Sequence, residues 1–133
     1  MTKRYFTPQE VDALIPELTR IMGAVMEAHA AVTEQSGRLQ AEQQRIALAG
    51  GGVIDQAKWK AAAAEIEQRG EEMQRGLRRI GELGGTPKDL GIGLVDFPHL
   101  LDNDEVNLCW RHGETRVRFW HGLDEGYAGR RPL

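Results

Sequence analysis

This chain of 133 residues contains a single cysteine, Cys109. An internal disulfide needs two cysteines and a cysteine-based zinc cluster needs several, so the sequence excludes both within one chain. Hydrophobic residues make up 41% of the chain, yet no apolar run approaches the roughly 20 residues of a membrane-spanning helix. No apolar segment follows the two basic residues near the amino terminus, which predicts a cytoplasmic protein without a secretory signal or a membrane partner.

The chain also lacks a strong excess of one charge. Seventeen basic residues face 20 acidic ones, for a net charge of −3, and neither half of the sequence is a basic arm or an acidic tail. A nucleic-acid surface needs concentrated positive charge. Charge therefore gives no support for nucleic acid as a partner.

The first long element is a helix predicted over residues 7–49. Thr7 and Glu10 can form a capping box around Pro8, which suits the first helical position. Apolar residues then recur at steps of three and four as far as Val32, and Pro16 inside this stripe predicts a kink rather than an end. A glycine run after residue 49 ends the helix.

A second helix is predicted over residues 54–84, because large apolar residues repeat every seven positions. These residues are Trp59, Ile66, Met73 and Ile80. Gly70 and Gly76 weaken a helix, and close approach of the first helix is the simplest explanation for both. Two long helices joined by a short glycine loop predict an antiparallel hairpin. Its far end, with few large residues, is either mobile or a partner surface.

Residues 90–133 change to an alternating pattern that is typical of strands. Ile92–Pro98 forms a short strand, and Glu105–Arg111 and Glu114–Trp120 form a hairpin around His112–Gly113. This pairing predicts an apolar face that packs on the helices, formed by Val106, Leu108, Trp110, Thr115, Val117 and Phe119. The other face carries Cys109, Arg111, Arg116, Arg118 and Trp120 and is predicted to meet solvent or a ligand.

The predicted fold class is therefore α+β, in a single domain over residues 1–133. A long antiparallel helical hairpin packs on a small antiparallel sheet of about three strands.

Four segments carry a resemblance to a known family. They are FTPQEVDALIPEL (Phe6–Leu18), GLVDFP (Gly93–Pro98), LCWRHGE (Leu108–Glu114) and FWHGLDEGYAGRRPL (Phe119–Leu133). Together they bracket nearly the whole chain, which resembles the bacterial and archaeal proteins grouped as domain of unknown function 2203. The resemblance implies a shared fold and a bacterial origin. It implies no activity.

A first candidate site lies in the turn after the hairpin. His121, Asp124 and Glu125, with Asp96 from the preceding strand, could bind a divalent metal, since an imidazole and carboxylates are common ligands. The HxxD spacing is also frequent by chance. The alternative is structural: His121 caps the hairpin while the two acidic residues of the turn pair with Arg130 or Arg131.

A second candidate is an anion site formed by arginines, whose forked donors suit phosphate and carboxylate. Its members are Arg111, Arg116, Arg118, Arg130 and Arg131. Trp120 beside them could stack a base. Glu105 and Glu114 lie on the same predicted face, so cross-strand ion pairs explain the same residues equally simply.

Cys109 alternates with core residues on its strand, which predicts a partly buried thiol rather than a nucleophile. The sequence contains no phosphate-binding loop, nucleophile elbow or HExxH motif. We expect a non-enzymatic interaction or assembly protein that forms homo-oligomers through its helical hairpin, and another protein could also be its partner. The alternative is a metal- or anion-dependent binder or enzyme around Asp96, His121, Asp124 and Arg130. The third hypothesis is nucleic-acid binding through the arginine face.

Overall fold

The computed structural model describes residues 3–51 and 55–133. Helix α1 spans Pro8–Leu48 and begins with the predicted capping box. The Thr7 hydroxyl accepts from the Glu10 amide at 3.1 Å, and the Glu10 carboxylate accepts from the Thr7 amide at 2.9 Å. Two of the unpaired donors at the start of the helix are thereby satisfied.

Helix α2 spans Gln56–Glu82, with the Asp55 side chain capping the amide of Lys58. The predicted start at residue 54 lies outside the described residues. Gly84 follows the last turn with a φ of 100°, a conformation that glycine adopts without strain. The two helices pack against each other along the hairpin, which confirms the helical half of the predicted fold.

The two glycines of α2 differ in their surroundings. A Cβ atom at Gly76 would lie 2.4 Å from Cγ2 of Val25 on α1, whereas a Cβ at Gly70 would meet nothing within 4 Å. Close approach of the helices therefore explains Gly76. For Gly70 the same explanation is wrong.

The remainder of the chain forms a five-stranded antiparallel sheet with strands in sequence order. The strands are β1 (Thr86–Asp89), β2 (Leu94–Leu101), β3 (Asp104–Arg111), β4 (Phe119–His121) and β5 (Arg131–Pro132). The α+β class is confirmed, but the expected number of about three strands is too small. The strands β1 and β5 are short and polar, so neither shows the alternating apolar pattern from which strands were predicted.

The main hairpin also differs from the predicted one. Strands β2 and β3 pair over eight residues across the turn Asp102–Asn103, where φ is 51° and 69°. Positive φ at both central positions is typical of a type I′ hairpin turn, and Asp and Asn tolerate it better than most residues. The His112–Gly113 turn exists, with Glu114 donating to the Arg111 carbonyl, but the next strand begins only at Phe119.

This later start changes the register of β4. Phe119 pairs with Cys109 and Trp120 with Leu108, a shift of an odd number of residues that exchanges the two faces of the strand. Trp120 therefore lies on the helix side, partly buried against the core, where exposure was expected. Val117 is buried in the core as predicted, and its amide donates to the Asp12 carboxylate of α1 at 2.8 Å.

The core lies at one end of the helical hairpin. It joins the first half of α1 and the last turns of α2 to one face of the sheet; its largest members are Phe6, Leu18, Met22, Ile80, Phe97, Leu108 and Trp110. We call residues 29–51 and 55–70 the arm, and the remainder of the described chain the base. No residue of the arm is fully buried. Within the described residues, no helix combines the length and apolar character needed to cross a membrane.

Candidate functional site

Three polar side chains meet on the face of the sheet that points away from the helices. Asp96 of β2 pairs across the strands with Cys109 of β3, and His121 of β4 lies diagonal to Cys109 through its pairing with Asn107. Neighbouring strands in register place such residues side by side on one face. All three are buried, with 2% or less of their surface exposed.

The hydrogen bonds of His121 define how many protons the pair with Asp96 carries. The Nδ1 atom lies 2.8 Å from the carbonyl oxygen of Gly122, which can only accept, so Nδ1 carries a hydrogen. The Nε2 atom lies 3.0 Å from Oδ1 of Asp96. A proton must lie between these two atoms, on the imidazole or on the carboxyl group, and in either case the pair is neutral overall.

The other carboxyl oxygen of Asp96 has no such partner. Among the described residues, Oδ2 is buried without a hydrogen bond. Leaving a buried acceptor unsatisfied costs roughly 1–3 kcal/mol. This group therefore retains the capacity to accept a donor or to bind a cation.

Cys109 completes the cluster as a protonated thiol. Burial raises its pKa to about 11, with a further increase from the negative charge of Asp96 and an opposing effect from Arg130. A thiol with so high a pKa is a poor nucleophile at neutral pH, because the thiolate is the reactive form.

The carboxyl-terminal segment covers this face. Arg130 donates to the Cys109 carbonyl at 3.0 Å and to the Glu114 carboxylate at 2.7 and 3.0 Å, and its guanidinium lies 4.2 Å from the centre of the Phe119 ring. Strand β5 then pairs with β4. The tail therefore removes from water a face that the sequence predicts to meet solvent or a ligand, and Cys109, predicted as partly buried, is fully buried.

One imidazole nitrogen, one thiol sulfur and one carboxylate oxygen lie within 4.8 Å of one another in this cluster. Each is a ligand type that divalent metals of the zinc group accept. The arrangement can thus serve as a neutral hydrogen-bonded cluster or as a three-ligand metal site.

The model of a known protein family matches residues 4–133 and is described as "Uncharacterized conserved protein (DUF2203)". The chain belongs to this family. A curated relative, the mouse (Mus musculus) protein "Keratin, type II cuticular Hb4", is 29% identical over 105 residues, which are 77% of this chain and 17% of the keratin. The chain thus spans less than a fifth of that relative's length. No solved structure gives a significant match.

In this DUF2203 protein, the acidic residues of the candidate turn have separate positions. Glu125 accepts from the Gly122 amide at 2.7 Å and pairs with Arg131 at 3.0 Å. Asp124 is exposed. Of the four predicted metal ligands, the fold brings together Asp96 and His121.

The predicted anion site is spread over several contacts of the DUF2203 chain. Arg130 and Arg131 form ion pairs with Glu114 and Glu125, and Arg111 donates to the Tyr127 hydroxyl at 2.9 Å. The remaining two candidates, Arg116 and Arg118, are exposed. The Trp120 ring, predicted to stack a base, lies 4.8 Å from the Arg131 guanidinium.

The residue that sequence analysis missed as a ligand is Cys109. Its alternation with core residues predicts a partly buried thiol, and a single cysteine is not by itself a signal for a metal site. The dipeptide Asp102–Asn103 was the available signal. Taken as a two-residue hairpin turn, it pairs Leu101 with Asp104 and, five residues further along each strand, Asp96 with Cys109.

Proposed function

We propose that this DUF2203 protein is an assembly module that pairs with a second copy of itself through the arm. The observation that carries the proposal is the incomplete burial of apolar residues along the arm. Val32, Leu39 and Ile46 of α1 repeat every seven residues and are all only half-buried. On α2, Trp59 and Ile66 continue the same spacing and are also half-buried.

A stable interface between two helices uses two apolar residues in every seven positions. Each helix of the arm has one large apolar residue in every seven, which is half of that number. Four helices around a common core bury such residues more fully. Two arms packed side by side would form a bundle of this kind, and the shared surface would be the same on both copies.

The arm also has a groove into which apolar groups fit. Its volume is about 520 Å³, and Leu39, Trp59 and Ala62 form its apolar part between charged residues of both helices. A groove with an apolar floor and charged sides is a typical protein-binding surface.

Charge favours a second copy as the occupant. The arm contains five acidic and five basic residues and is neutral as a whole. Alternating charges of both signs can pair across a symmetric interface without repulsion. The arm therefore has no excess charge that would attract a strongly acidic or basic partner.

Nucleic acid is further disfavoured as a partner because Arg130 and Arg131 are already in ion pairs within the chain.

The test is the mass of the protein in solution, measured by light scattering from about 1 to 100 µM. We expect a dimer at the upper concentrations. Ala61 lies in the groove and is exposed in the single chain, so Ala61→Arg adds a charge to the interface without removing an internal contact. This variant should weaken association at least tenfold, equivalent to about 1.4 kcal/mol.

The matched control is Ala63→Arg, because Ala63 is exposed on the same helix but does not line the groove. It should associate as the wild type does, and both variants should keep the helical circular dichroism of the wild type. A wild-type protein that is monomeric over the whole range, or equal association of both variants, would refute the proposal.

A further inference from the structure

The buried cluster on the tail side of the sheet has features that the assembly proposal leaves unexplained. Asp96, Cys109 and His121 come from three adjacent strands and bring oxygen, sulfur and nitrogen together. Apolar residues would stabilise these buried positions of the sheet more readily, because buried polar groups add stability only when they are fully paired. Asp96 is not fully paired, since its Oδ2 atom is buried without a hydrogen bond among the described residues.

We propose that Asp96, Cys109 and His121 form a binding site for one zinc ion. The ligand atoms already lie within 4.8 Å of one another, as three ligands on a shared ion must. The mixed donor set favours zinc over magnesium or calcium, which prefer oxygen ligands throughout.

Charge balance supports a divalent ion. In the metal-free form, one hydrogen lies between Nε2 of His121 and Oδ1 of Asp96, as the hydrogen bonds of the imidazole require, and a second belongs to the Cys109 thiol. One Zn²⁺ that displaces both protons leaves the total charge of the cluster unchanged. The ion then faces a thiolate, a carboxylate and a neutral imidazole, whose charges sum to −2.

The nearby cation does not oppose this exchange. Arg130 is the closest positive side chain of the tail, and its charge is balanced by the Glu114 carboxylate at 2.7 Å. Its hydrogen bond of 3.0 Å to Cys109 goes to the main-chain carbonyl. Three protein ligands leave a fourth tetrahedral position for water or another small ligand.

The remaining ring nitrogen of His121 is also bound as in known metal sites. A histidine that binds a metal through one nitrogen usually donates from the other to a carbonyl or carboxylate. Here Nε2 of His121 faces Asp96, while Nδ1 donates to the Gly122 carbonyl at 2.8 Å. The imidazole ring is thus already held in one orientation before a metal binds.

The test uses untagged full-length protein that has been treated with a chelator and then titrated with zinc. We expect one zinc per chain and, at a 100-fold excess of free zinc over the dissociation constant, a melting temperature raised by roughly 8 °C. Cobalt in place of zinc should give the near-ultraviolet absorption of a cobalt–thiolate bond, which reports Cys109 directly.

Two variants separate metal binding from folding. Cys109→Ala removes the sulfur but keeps the hydrogen bond between His121 and Asp96, and Asp96→Asn keeps an amide that can still donate to His121. Both should weaken zinc binding by at least about 100-fold, and Cys109→Ala should abolish the cobalt–thiolate absorption. If Cys109→Ala does not fold, Cys109→Ser tests the same ligand with less change in volume.

The control is His29→Ala on α1, a histidine far along the chain from the cluster, which should bind zinc as the wild type does. The proposal is overturned if zinc leaves the melting temperature of the wild type unchanged. It is also overturned if the variants at Cys109 and Asp96 bind zinc as tightly as the wild type, because the ion would then be held elsewhere.

Discussion

The base and the arm are built from the same two helices but are stabilised differently. In the base, α1 and α2 pack against each other and against the sheet, and large residues such as Leu18, Met22 and Ile80 are fully buried. In the arm, each helix has only the other as a neighbour, and its largest apolar residues stay half-exposed. A helix alone gains little stability in water, so most of its stability comes from the face that it buries.

This difference separates the two regions by what stabilises each of them. The base holds the chain folded and encloses the polar cluster, while the arm leaves its large apolar residues half-exposed. Polar contacts along the arm fix the pairing of its helices without covering these residues, as in the hydrogen bond of 2.9 Å from Gln35 to Glu65. The contrast leads to three predictions, in order of the expected effect.

The largest effect is expected from truncating one buried aromatic residue of the base. Phe97 is fully buried and its ring lies 5.1 Å from that of Phe6. Phe97→Ala should lower the free energy of unfolding by about 3–5 kcal/mol, through lost burial and the cavity left behind. Urea denaturation followed by circular dichroism measures the loss.

The matched change in the arm is Ile66→Ala, which removes a half-buried residue of α2. The expected loss is about 1 kcal/mol in dilute protein, because less apolar surface returns to water. Equal losses for the two variants would break the distinction between base and arm.

The second prediction compares two glycine replacements on the same helix. Gly76→Ala should destabilise the protein by about 1–3 kcal/mol, since the new methyl group would lie 2.4 Å from Val25 in the base. Gly70→Ala meets nothing within 4 Å and should stabilise α2 by up to about 1 kcal/mol. Thermal denaturation of both variants measures the change in melting temperature. A change of the same sign in both would contradict the packing described for Gly76.

The smallest effect concerns the start of α1. Hydrogen bonding from the Thr7 amide, and then from Arg4, lowers the pKa of Glu10 below its ordinary value of 4.5. A carboxyl group with a lowered pKa in the folded state adds stability above its unfolded pKa, and this stability is lost as the pH falls through the folded value. Glu10→Gln should therefore be less stable than the wild type at pH 7, with the difference shrinking below about pH 4.5.

Thermal denaturation from pH 7 to pH 3 measures this difference. Glu27→Gln, which removes one exposed negative charge from the same helix, controls for the change in total charge. A constant difference between wild type and Glu10→Gln over this range would mean that the charge of Glu10 does not stabilise the cap.

Local rules of the sequence were sufficient for the helices. Each signal for a helix depends on residues that are close together in the sequence, so the pattern alone predicts where the helices lie. These signals are the capping box of Thr7 and Glu10, the seven-residue spacing from Trp59 to Ile80 and the glycines at the helix ends. The apolar alternation of β2 and β3 likewise predicts strands and their core face. The glycine at position 76 also signalled a close helix contact.

The register of β4 was decided only in the tertiary structure. The turn Asp102–Asn103 is a local signal for the pairing of β2 with β3, and the turn His112–Gly113 at the other end of β3 is formed as well. Local chemistry does not decide where the strand after this second turn begins: Val117 is buried in the core, and β4 begins only at Phe119. An odd shift in register moves every side chain of β4 to the opposite face, so His121 joins Asp96 and Cys109 only in the register that the tertiary structure has.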